Sequence, residues 1–580
     1  MDIFNEIRIL VLESLDSMVA EGLLKANLDY SNVAVEPPRD PAHGDMATNA
    51  ALVLAKLAKI PPREIAEILR LRISTDNRIK NIDVAGPGFL NIRLNNEILH
   101  DTVLKCLSNG EEYGKSNIGR GKRVNVEYVS ANPTGPLHVG HTRGAVFGDV
   151  LANLLEYVGY EVTREYYLND SGAQVDVLAR SVYLRYLEAH GLDITFEDGT
   201  YPGDYLVEVG KSLKDDVGDK FIGQEEGQWL DEIRVFAVEK MVRLIQDDLK
   251  SLGVTMDLYF SEKTLYGTTK IEDAIRDLDK KGLIYEGVLE APKGKLLDDW
   301  EPRQQTLFKS TNHGDDVDRP VKKSDGSWTY FAPDIAYHYD KITRGYDHLI
   351  NVFGADHGGY VKRMKAAVLA LSGGGIELDV KLIQLVRLYK NGEPFKMSKR
   401  SGTFVTLKNL IEEVGSDVVR FVMLTRKNDA PLDFDFSRAL EQSKDNPVFY
   451  VQYAHARICS IIRKSQKLGW AVDDQSLANA DLSLNTHHAE LSLIKKISEW
   501  PRLVETATRT NEPHRVCFYL YDLAGEFHSL WSRGNELQEL RFIQGNKETS
   551  FAKIALARSV AIVISAGLGI LGVVPSSEMR

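Results

Sequence analysis

The sequence predicts an α/β protein with three parts: a doubly wound parallel-sheet domain, a small α+β domain before it and an α-helical bundle after it. Three observations support this prediction. Short apolar strands alternate with amphipathic helices from about residue 123 to 440, which is typical of a mainly parallel sheet. The first 110 residues combine helical stripes with a hairpin pattern, and the chain after Pro447 is helical.

The 580 residues suffice for three or four domains at roughly 100–200 residues each. We expect the α+β domain over 1–110, the sheet domain over 120–440 and the helical bundle over 441–580. An acidic, helical stretch near 185–260 and a stretch near 285–328 with many Gly, Lys and Asp residues are expected to be insertions. The second insertion has the pattern of hairpins.

Each element follows from its spacing of apolar residues and turn formers. Near the N-terminus, Pro61 and Pro62 separate two helices, and Gly86, Pro87 and Gly88 separate two strands. The predicted elements are helices over 3–18, 47–57, 62–71 and 137–158, strands over 82–84, 89–92, 124–129, 348–353 and 380–386, and a helix after Asn446-Pro447.

Composition is ordinary for a globular protein, with 43% hydrophobic and 27% charged residues. The net charge of −12 argues against a protein that coats nucleic acid indiscriminately, although a local basic face can still bind RNA. Cys106, Cys459 and Cys517 form no Cys-x-x-Cys pair, so neither a zinc site nor a disulfide framework is expected. No signal peptide is evident, and the apolar run 559–574 is expected to be a buried core helix. These features predict a cytoplasmic protein.

The first motif with chemical content is SANPTGPLHVGH at 130–141, between a predicted strand and a predicted helix. Nucleotides bind at this place in doubly wound sheets. A glycine there lets a flat purine or a phosphate approach the backbone. His138 and His141, at the opening of a helix, can donate hydrogen bonds to negative charge that develops on phosphate. Alone, the pattern also fits two surface histidines near a turn.

The second motif is FKMSKRSG at 395–402, in which two lysines bracket Met397 and Ser398. Such a basic loop can clamp a triphosphate and neutralise charge as pyrophosphate leaves. Alone, it also fits a solvated basic loop.

Together, HVGH at 138–141 and KMSK at 396–399 resemble the paired signature of class I aminoacyl-tRNA synthetases, known as HIGH and KMSK. Further segments are similar to those of the bacterial-type arginyl-tRNA synthetase family. They are GDMATN at 44–49, EYVSANPTG at 127–135, YLND at 167–170, GADH at 354–357 and DNPVFYVQYAHAR at 445–457. The resemblance implies that arginine reacts with ATP to give arginyl-adenylate and pyrophosphate. The arginyl group then passes to the 3′ end of tRNA.

The resemblance also implies site residues. Tyr330 and Asp334, four residues apart, would contact the guanidinium group, because a carboxylate and a flat aromatic face suit a planar fork of donors. Without the resemblance, the same two residues fit a strand position and an ordinary helix cap. The implied catalytic residues are His138, His141, Lys396 and Lys399. The implied ATP-binding residues are Gly135, Pro136, His138, Gly140, His141, Asp356, Lys396, Met397, Ser398 and Lys399. The implied arginine-binding residues are Glu127, Ser130, Asn132, Tyr330 and Asp334.

The expected partners are tRNA(Arg), L-arginine and ATP, without a membrane, and a monomer is expected. Mg²⁺ would arrive with ATP, since no metal-ligand cluster appears in the sequence. In the family, the N-terminal domain touches the tRNA elbow and the C-terminal helices bind the anticodon. Gly358 stands where many relatives have a second histidine, so His357 receives no role. Lys399 is kept, as in the common form of the downstream loop.

Three other functions remain open on the sequence alone. A smaller HIGH-type nucleotidyltransferase would need neither the N-terminal domain nor the helical tail. A non-catalytic RNA-binding paralogue would be expected to lose the histidines or lysines that this chain keeps. A synthetase for another amino acid would be separated by substrate-dependent ATP–pyrophosphate exchange.

Overall fold

The computed structural model describes residues 2–289, 303–395 and 405–579. Contacts between residues divide the chain into two compact units, one of which is built from both ends of the chain. The units are Met1–Ile118 with Gln442–Arg580, and Gly119–Glu441.

The N-terminal part of the first unit is an α+β arrangement, as the sequence predicts. Its elements are α1 (Ile3–Ala20), β1 (Val35–Glu36), β2 (Met46–Thr48), α2 (Ala50–Ala58), α3 (Pro62–Ile73), β3 (Ile79–Ala85), β4 (Phe89–Leu94) and α4 (Asn96–Asn109). The four strands form an antiparallel sheet in the order β1-β2-β4-β3. The helix predicted from residue 47 begins at Ala50, because β2 pairs with both β1 and β4.

The second unit contains a five-stranded parallel sheet in the order β12-β11-β5-β6-β7, and this confirms the predicted doubly wound class. Elements that build the sheet and its covering helices are β5 (Arg123–Glu127), α5 (Val139–Tyr157), β6 (Glu161–Leu168), α6 (Ala173–Ala189), α7 (Tyr205–Val217), α8 (Glu226–Ser251), β7 (Leu258–Ser261), α9 (Lys270–Lys280), β8 (Ile284–Gly287), β9 (Gln305–Phe308), β10 (Arg319–Lys322), α10 (Phe331–Thr343), β11 (His348–Gly354), α11 (Val361–Leu371) and β12 (Glu377–Ile383).

Two smaller sheets complete the second unit. The antiparallel sheet β10-β9-β8 provides the hairpins expected in this region. The remaining elements are β13 (Val386–Lys390), β14 (Glu393–Pro394), α12 (Leu407–Val414), α13 (Ser416–Val422), β15 (Leu432–Asp435) and α14 (Phe436–Leu440), with a sheet in the order β14-β13-β15.

One predicted strand is divided in the structure. Residues 380–386 were expected to be continuous, but β12 ends at Ile383 and β13 begins at Val386. The backbone N–H of Gln384 donates to the carbonyl of Asn428 at 2.8 Å instead of to a sheet strand. The chain therefore crosses from the parallel sheet to the sheet of β13 at Gln384 and Leu385.

The C-terminal part of the first unit is helical, with α15 (Pro447–Lys467), α16 (Asp474–Leu477), α17 (His488–Ser498), α18 (Trp500–Arg509), α19 (His514–Glu536) and α20 (Lys547–Leu571). Helix α4 packs against α16, α17 and α20 within the same unit. By length and composition α20 could cross a membrane, but 83% of its most apolar window is buried inside the protein. This helix includes most of the run 559–574, which is a core helix as expected.

Candidate active site

A cavity of about 1430 Å³ lies in the second unit, where β5 and β11 end. The sheet order reverses direction between these strands, and ligands bind at such a switch point in open α/β sheets. The lining includes Glu127, Ser130, Asn132, Gly135, Pro136, His138, Gly140, His141, Gly144, Tyr167, Asp334, Tyr337, His338, Asp356, Tyr360, Ile383, Gln384, Leu385 and Val386.

The two motif histidines stand at the N-terminus of α5. His138 is the N-cap, and its Nδ1 accepts the backbone N–H of Gly140 at 3.0 Å. His141 Nδ1 accepts the backbone N–H of His138 at 3.4 Å, and the two rings stack with centroids 3.8 Å apart. Because both Nδ1 atoms accept backbone hydrogens, a neutral ring carries its proton on Nε2 at each position. The capping pattern thus fixes two Nε2–H donors beside the helix terminus.

The segment before α5 is held from two directions. The backbone N–H of Leu137 donates to Oδ2 of the buried Asp248 on α8 at 2.9 Å. Val139 N–H donates to the carbonyl of Val405 at 3.2 Å, and Leu407 N–H donates to the carbonyl of Leu137 at 2.8 Å. The residues that follow the second sequence motif therefore pair with the residues around the first one.

A sharp turn carries the chain from β5 into the cavity. Val129 and Ser130 have φ values of 69° and 41°, a left-handed conformation that is unfavourable for residues other than glycine and especially for β-branched valine. The turn lets Ser130 Oγ donate to Glu127 Oε1 at 3.2 Å and accept from the backbone N–H of Tyr167 at 3.1 Å. It also ends β5 two residues before the predicted limit at Val129.

Glu127 forms a buried ion pair with Lys341 on α10, with 2.6 Å between Nζ and Oε2. Lys341 Nζ also lies 3.3 Å from Oδ1 of Asn351, and Nδ2 of Asn351 lies 2.9 Å from Nε2 of His338. Burial lowers the pKa of His338 to about 3, so its ring is neutral. A buried pair of this kind is sensitive to loss of either partner.

Asp334 lies in the first turn of α10 and accepts a hydrogen bond from the Tyr360 hydroxyl at 2.7 Å. Burial raises the pKa of Asp334 to about 7, while the Tyr360 bond opposes this rise. Among the described residues Asp334 forms no ion pair, in contrast to Glu127. The helix N-cap is Tyr330, so Asp334 does not cap the helix.

The structure does not bring Tyr330 together with Asp334 at the cavity. The Tyr330 side chain is 80% exposed and lies outside the lining, because its backbone precedes the helix that carries Asp334 inward. An aromatic wall comes instead from Tyr337 and Tyr167, whose ring centroids are 4.6 Å apart, and from Tyr360.

The other predicted residues divide into two groups. Asn132 lines the cavity, and its Nδ2 donates to Oε1 of Gln174 at 2.8 Å. Asp356 lines it with an exposed side chain near His357, and Gly135, Pro136 and Gly140 also line it. The four predicted residues of the second motif lie outside the described residues. They are Lys396, Met397, Ser398 and Lys399.

Sequence reasoning missed Lys341 and Tyr337. A lone lysine within the apolar pattern of a predicted helix could have signalled Lys341, because a lysine that is fully buried needs a partner. Within the described ranges, no group of three or more His, Cys, Asp or Glu side chains is arranged to hold a metal ion.

Comparisons with known proteins agree with this geometry. Three family models match: the arginyl tRNA synthetase N terminal domain over residues 5–94, the class I (R) tRNA synthetase catalytic domain over 102–443 and the DALR anticodon binding domain over 451–579. Arginine–tRNA ligases of Roseobacter denitrificans and Ruegeria pomeroyi are 67% and 68% identical, over 100% of this chain and of each relative. The arginyl-tRNA synthetase structure from Thermus thermophilus shares the fold, with a TM-score of 0.76 across 99% of this chain and 100% of that one, at 21% identity.

These matches exclude the smaller nucleotidyltransferase and a synthetase for another amino acid, because two of the models describe arginyl-tRNA synthetases and the arginine–tRNA ligases match over the whole chain. The full-length relatives are ligases, which also argues against a non-catalytic paralogue. The chain therefore belongs to the class I arginyl-tRNA synthetase family, whose reaction joins arginine to tRNA with ATP.

Proposed function

We propose that the cavity between β5 and β11 is where arginine is activated, with ATP beside α5 and arginine beside α10. In this reaction a carboxylate oxygen of arginine attacks the α-phosphorus of ATP, and the bond from that phosphorus to the leaving pyrophosphate breaks. The cavity has room for both substrates, and its two ends differ in chemistry. One end carries histidine donors and a helix N-terminus, and the other carries Asp334 among aromatic rings.

The nucleotide end is supported by His138 and His141. Their Nε2–H groups and the positive end of α5 can stabilise charge that grows on the phosphate oxygens in the transition state. Gly144, one turn into α5, leaves open space at its Cα, so a flat base can approach the helix. Lys396 and Lys399 remain sequence predictions for the pyrophosphate end.

The arginine end is supported most strongly by one observation: Asp334 lines the cavity without an ion-pair partner among the described residues. A guanidinium group supplies both the charge and the paired donors that this carboxylate lacks. We assign Glu127, Ser130 and Asn132 to the amino-acid end. Since Lys341 already neutralises Glu127, that carboxylate does not compete with Asp334 for the guanidinium group. Tyr330 can join this site only by rotating its ring from solvent toward the cavity.

ATP–pyrophosphate exchange across the amino acids, in the presence of tRNA(Arg), tests the proposal. Exchange should depend on arginine and be low with lysine, because an ammonium group cannot fill a fork-shaped site. Exchange that lysine or another amino acid supports equally would refute the role of Asp334. Because enzymes of the family usually need tRNA for activation, only reactions that contain tRNA are decisive.

We further propose roles for the rest of the chain. Residues 1–110 would contact the tRNA elbow, residues 120–440 would form the catalytic domain, and residues 441–580 would bind the anticodon. Mg²⁺ would enter with ATP and be held by phosphates and water. A cytoplasmic monomer without a membrane is the form we propose; the burial of α20 supports the last part of this proposal, that the helix does not span a membrane.

A further inference from the structure

Arg143 is a buried arginine on α5, two residues after His141, and its side chain belongs to neither sequence motif. Only 1% of the residue is exposed. Its Nη1 donates to the carbonyl oxygens of Gln384 at 3.1 Å and Ala430 at 2.7 Å. Its Nη2 donates to those of Arg426 at 3.2 Å and Lys427 at 2.9 Å. The guanidinium therefore joins three parts of the second unit that are far apart in sequence.

These partners are unusual for a buried arginine, because they are backbone carbonyls rather than carboxylates. Removing a guanidinium from water is costly, and only well-placed acceptors offset that cost. Burial lowers the pKa of Arg143 to about 10, which is the expected direction when no carboxylate contacts the group. The four carbonyl acceptors lie on two separate segments. The planar guanidinium can donate to both segments at once, whereas a lysine ammonium donates from a single nitrogen atom.

The carbonyl of Gln384 belongs to the crossover segment, residues 383–386, where the chain leaves β12 and enters β13. All four residues of the crossover segment line the cavity, and the side chain of Leu385 is 73% exposed. The loop 426–430 holds the same segment: Asn428 accepts from Gln384 N–H at 2.8 Å, and its Nδ2 donates to the carbonyl of Leu382 at 3.0 Å. Arg143 reaches both the crossover segment and the loop.

The first turn and a half of α5 forms the neighbouring part of the lining through His138, Gly140, His141 and Gly144. Arg143 lies within this same stretch of helix. One side chain thus connects the histidine end of the helix to the crossover segment at the Gln384 carbonyl, while the loop 426–430 accepts the Gln384 N–H.

We propose that Arg143 is a positioning residue for ATP: it holds the crossover segment at a fixed separation from the histidine end of α5, so that the nucleotide fits between them. This inference rests on the proposed placement of ATP at that end of the cavity. Small displacements of a binding wall are sufficient to lower catalysis strongly. The ammonium of Arg143→Lys keeps the charge but cannot hold both the crossover segment and the loop.

The test measures KM for ATP and for arginine separately, by pyrophosphate exchange with saturating tRNA(Arg). Arg143→Lys should raise the ATP KM about 10- to 100-fold and change the arginine KM by less than about twofold. The matched control is Arg420→Lys. Arg420 is equally buried and also contacts α5, through Asp149 at 2.5 Å, and it donates to the carbonyl of Leu252 at 3.0 Å. This control should lower the melting temperature and leave both KM values unchanged.

Two further variants make every outcome decisive. Leu385→Asp places a negative charge in the crossover segment, so it should raise the ATP KM if ATP lies there. If Leu385→Asp raises the ATP KM and Arg143→Lys does not, Arg143 is structural only and the inference is wrong. If neither variant changes the ATP KM, the placement of ATP itself is wrong. If Arg143→Lys does not fold, Asn428→Ala is tested instead, because it removes the hydrogen bond from Asn428 Nδ2 to the Leu382 carbonyl beside the crossover segment. It should then raise the ATP KM alone, and equal changes in both KM values would refute the inference.

Discussion

The hydroxyl of Tyr360 donates to Oδ2 of Asp334 across 2.7 Å, which links the segment before α11 to the first turn of α10. This bond favours the ionised carboxylate, whereas burial favours the neutral acid, and burial has the larger effect. Without a bound cation, burial therefore favours the protonated form of Asp334, and a guanidinium group bound beside it would favour the ionised form.

Asp334→Asn should lower kcat/KM for arginine about 30- to 3,000-fold, because removal of one partner of an enclosed ion pair costs roughly 2–5 kcal/mol. The ATP KM should stay nearly unchanged. Asp340→Asn is the matched control: Asp340 lies on the same helix and pairs with Arg344, the residue after that helix, and with Lys270 on α9. An unaltered arginine KM in Asp334→Asn would refute the proposal that Asp334 binds the guanidinium group.

The stability of Asp334→Asn should rise at about pH 8 relative to the native chain without arginine. The folded pKa of Asp334, about 7, lies above its ordinary value of 3.8. The folded protein therefore holds this proton more tightly than the unfolded chain, and the free energy of unfolding falls as pH rises from near 3.8 to about 7. Because asparagine does not titrate, Asp334→Asn removes this fall in the free energy of unfolding. A melting temperature lower than that of the native chain at this pH would contradict the assignment of the raised pKa.

The arginine KM should fall as pH rises from about 6 to about 8, because only ionised Asp334 pairs with a guanidinium group, which stays charged throughout. Tyr360→Phe removes a bond that lowers the pKa, so it should move the midpoint to higher pH. The arginine KM is measured against the ATP KM at each pH. A pH profile with the same midpoint in both proteins would show that another group titrates.

His138→Asn separates capping from catalysis. Asparagine is a favoured N-cap, so its side-chain oxygen can replace Nδ1 as acceptor for Gly140 N–H and preserve α5. It cannot replace the Nε2–H donor. We expect an unchanged melting temperature and a loss of about 10²- to 10³-fold in kcat for pyrophosphate exchange. Near-normal exchange would remove His138 from the chemistry and leave it a capping residue.

Lys341→Met should destabilise the second unit by about 3–5 kcal/mol, because Glu127 would remain buried without its cation. The double variant with Glu127→Gln should recover much of this loss, since neither charge then remains. Chemical denaturation of the single and double variants measures the coupling. If the two changes simply add, the ion pair has no special energetic role.

The sequence predicted the parallel sheet and the position of the motif histidines, because both depend on local patterns. Apolar strands before Val129 and before Gly354 and a glycine-containing turn before α5 are enough to locate a switch point. Family resemblance then supplied the substrate, which no spacing could reveal.

The sequence could not predict contacts that depend on distant segments. Arg143 meets carbonyls more than 240 positions away, and Lys341 meets a carboxylate 214 positions earlier. The orientation of Tyr330 also depends on where α10 begins, which helical periodicity locates only approximately. The sequence around Gln384 resembled a continuous strand because the residues on both sides of Gln384 are apolar. In the structure, the backbone N–H of Gln384 bonds to the loop around Asn428.

The joining of both chain ends in one compact unit has a consequence for synthesis on the ribosome. Helix α4 emerges early, but α17 and α20, against which it packs, are made only near the end of translation. At about 5–20 residues per second, its apolar face waits on the order of 20–90 s for these partners. The continuous stretch from Gly119 to Glu441 can fold during that interval. Leu99, Val103 and Cys106 on α4 are thus apolar side chains whose partners on α17 and α20 are missing until late in synthesis.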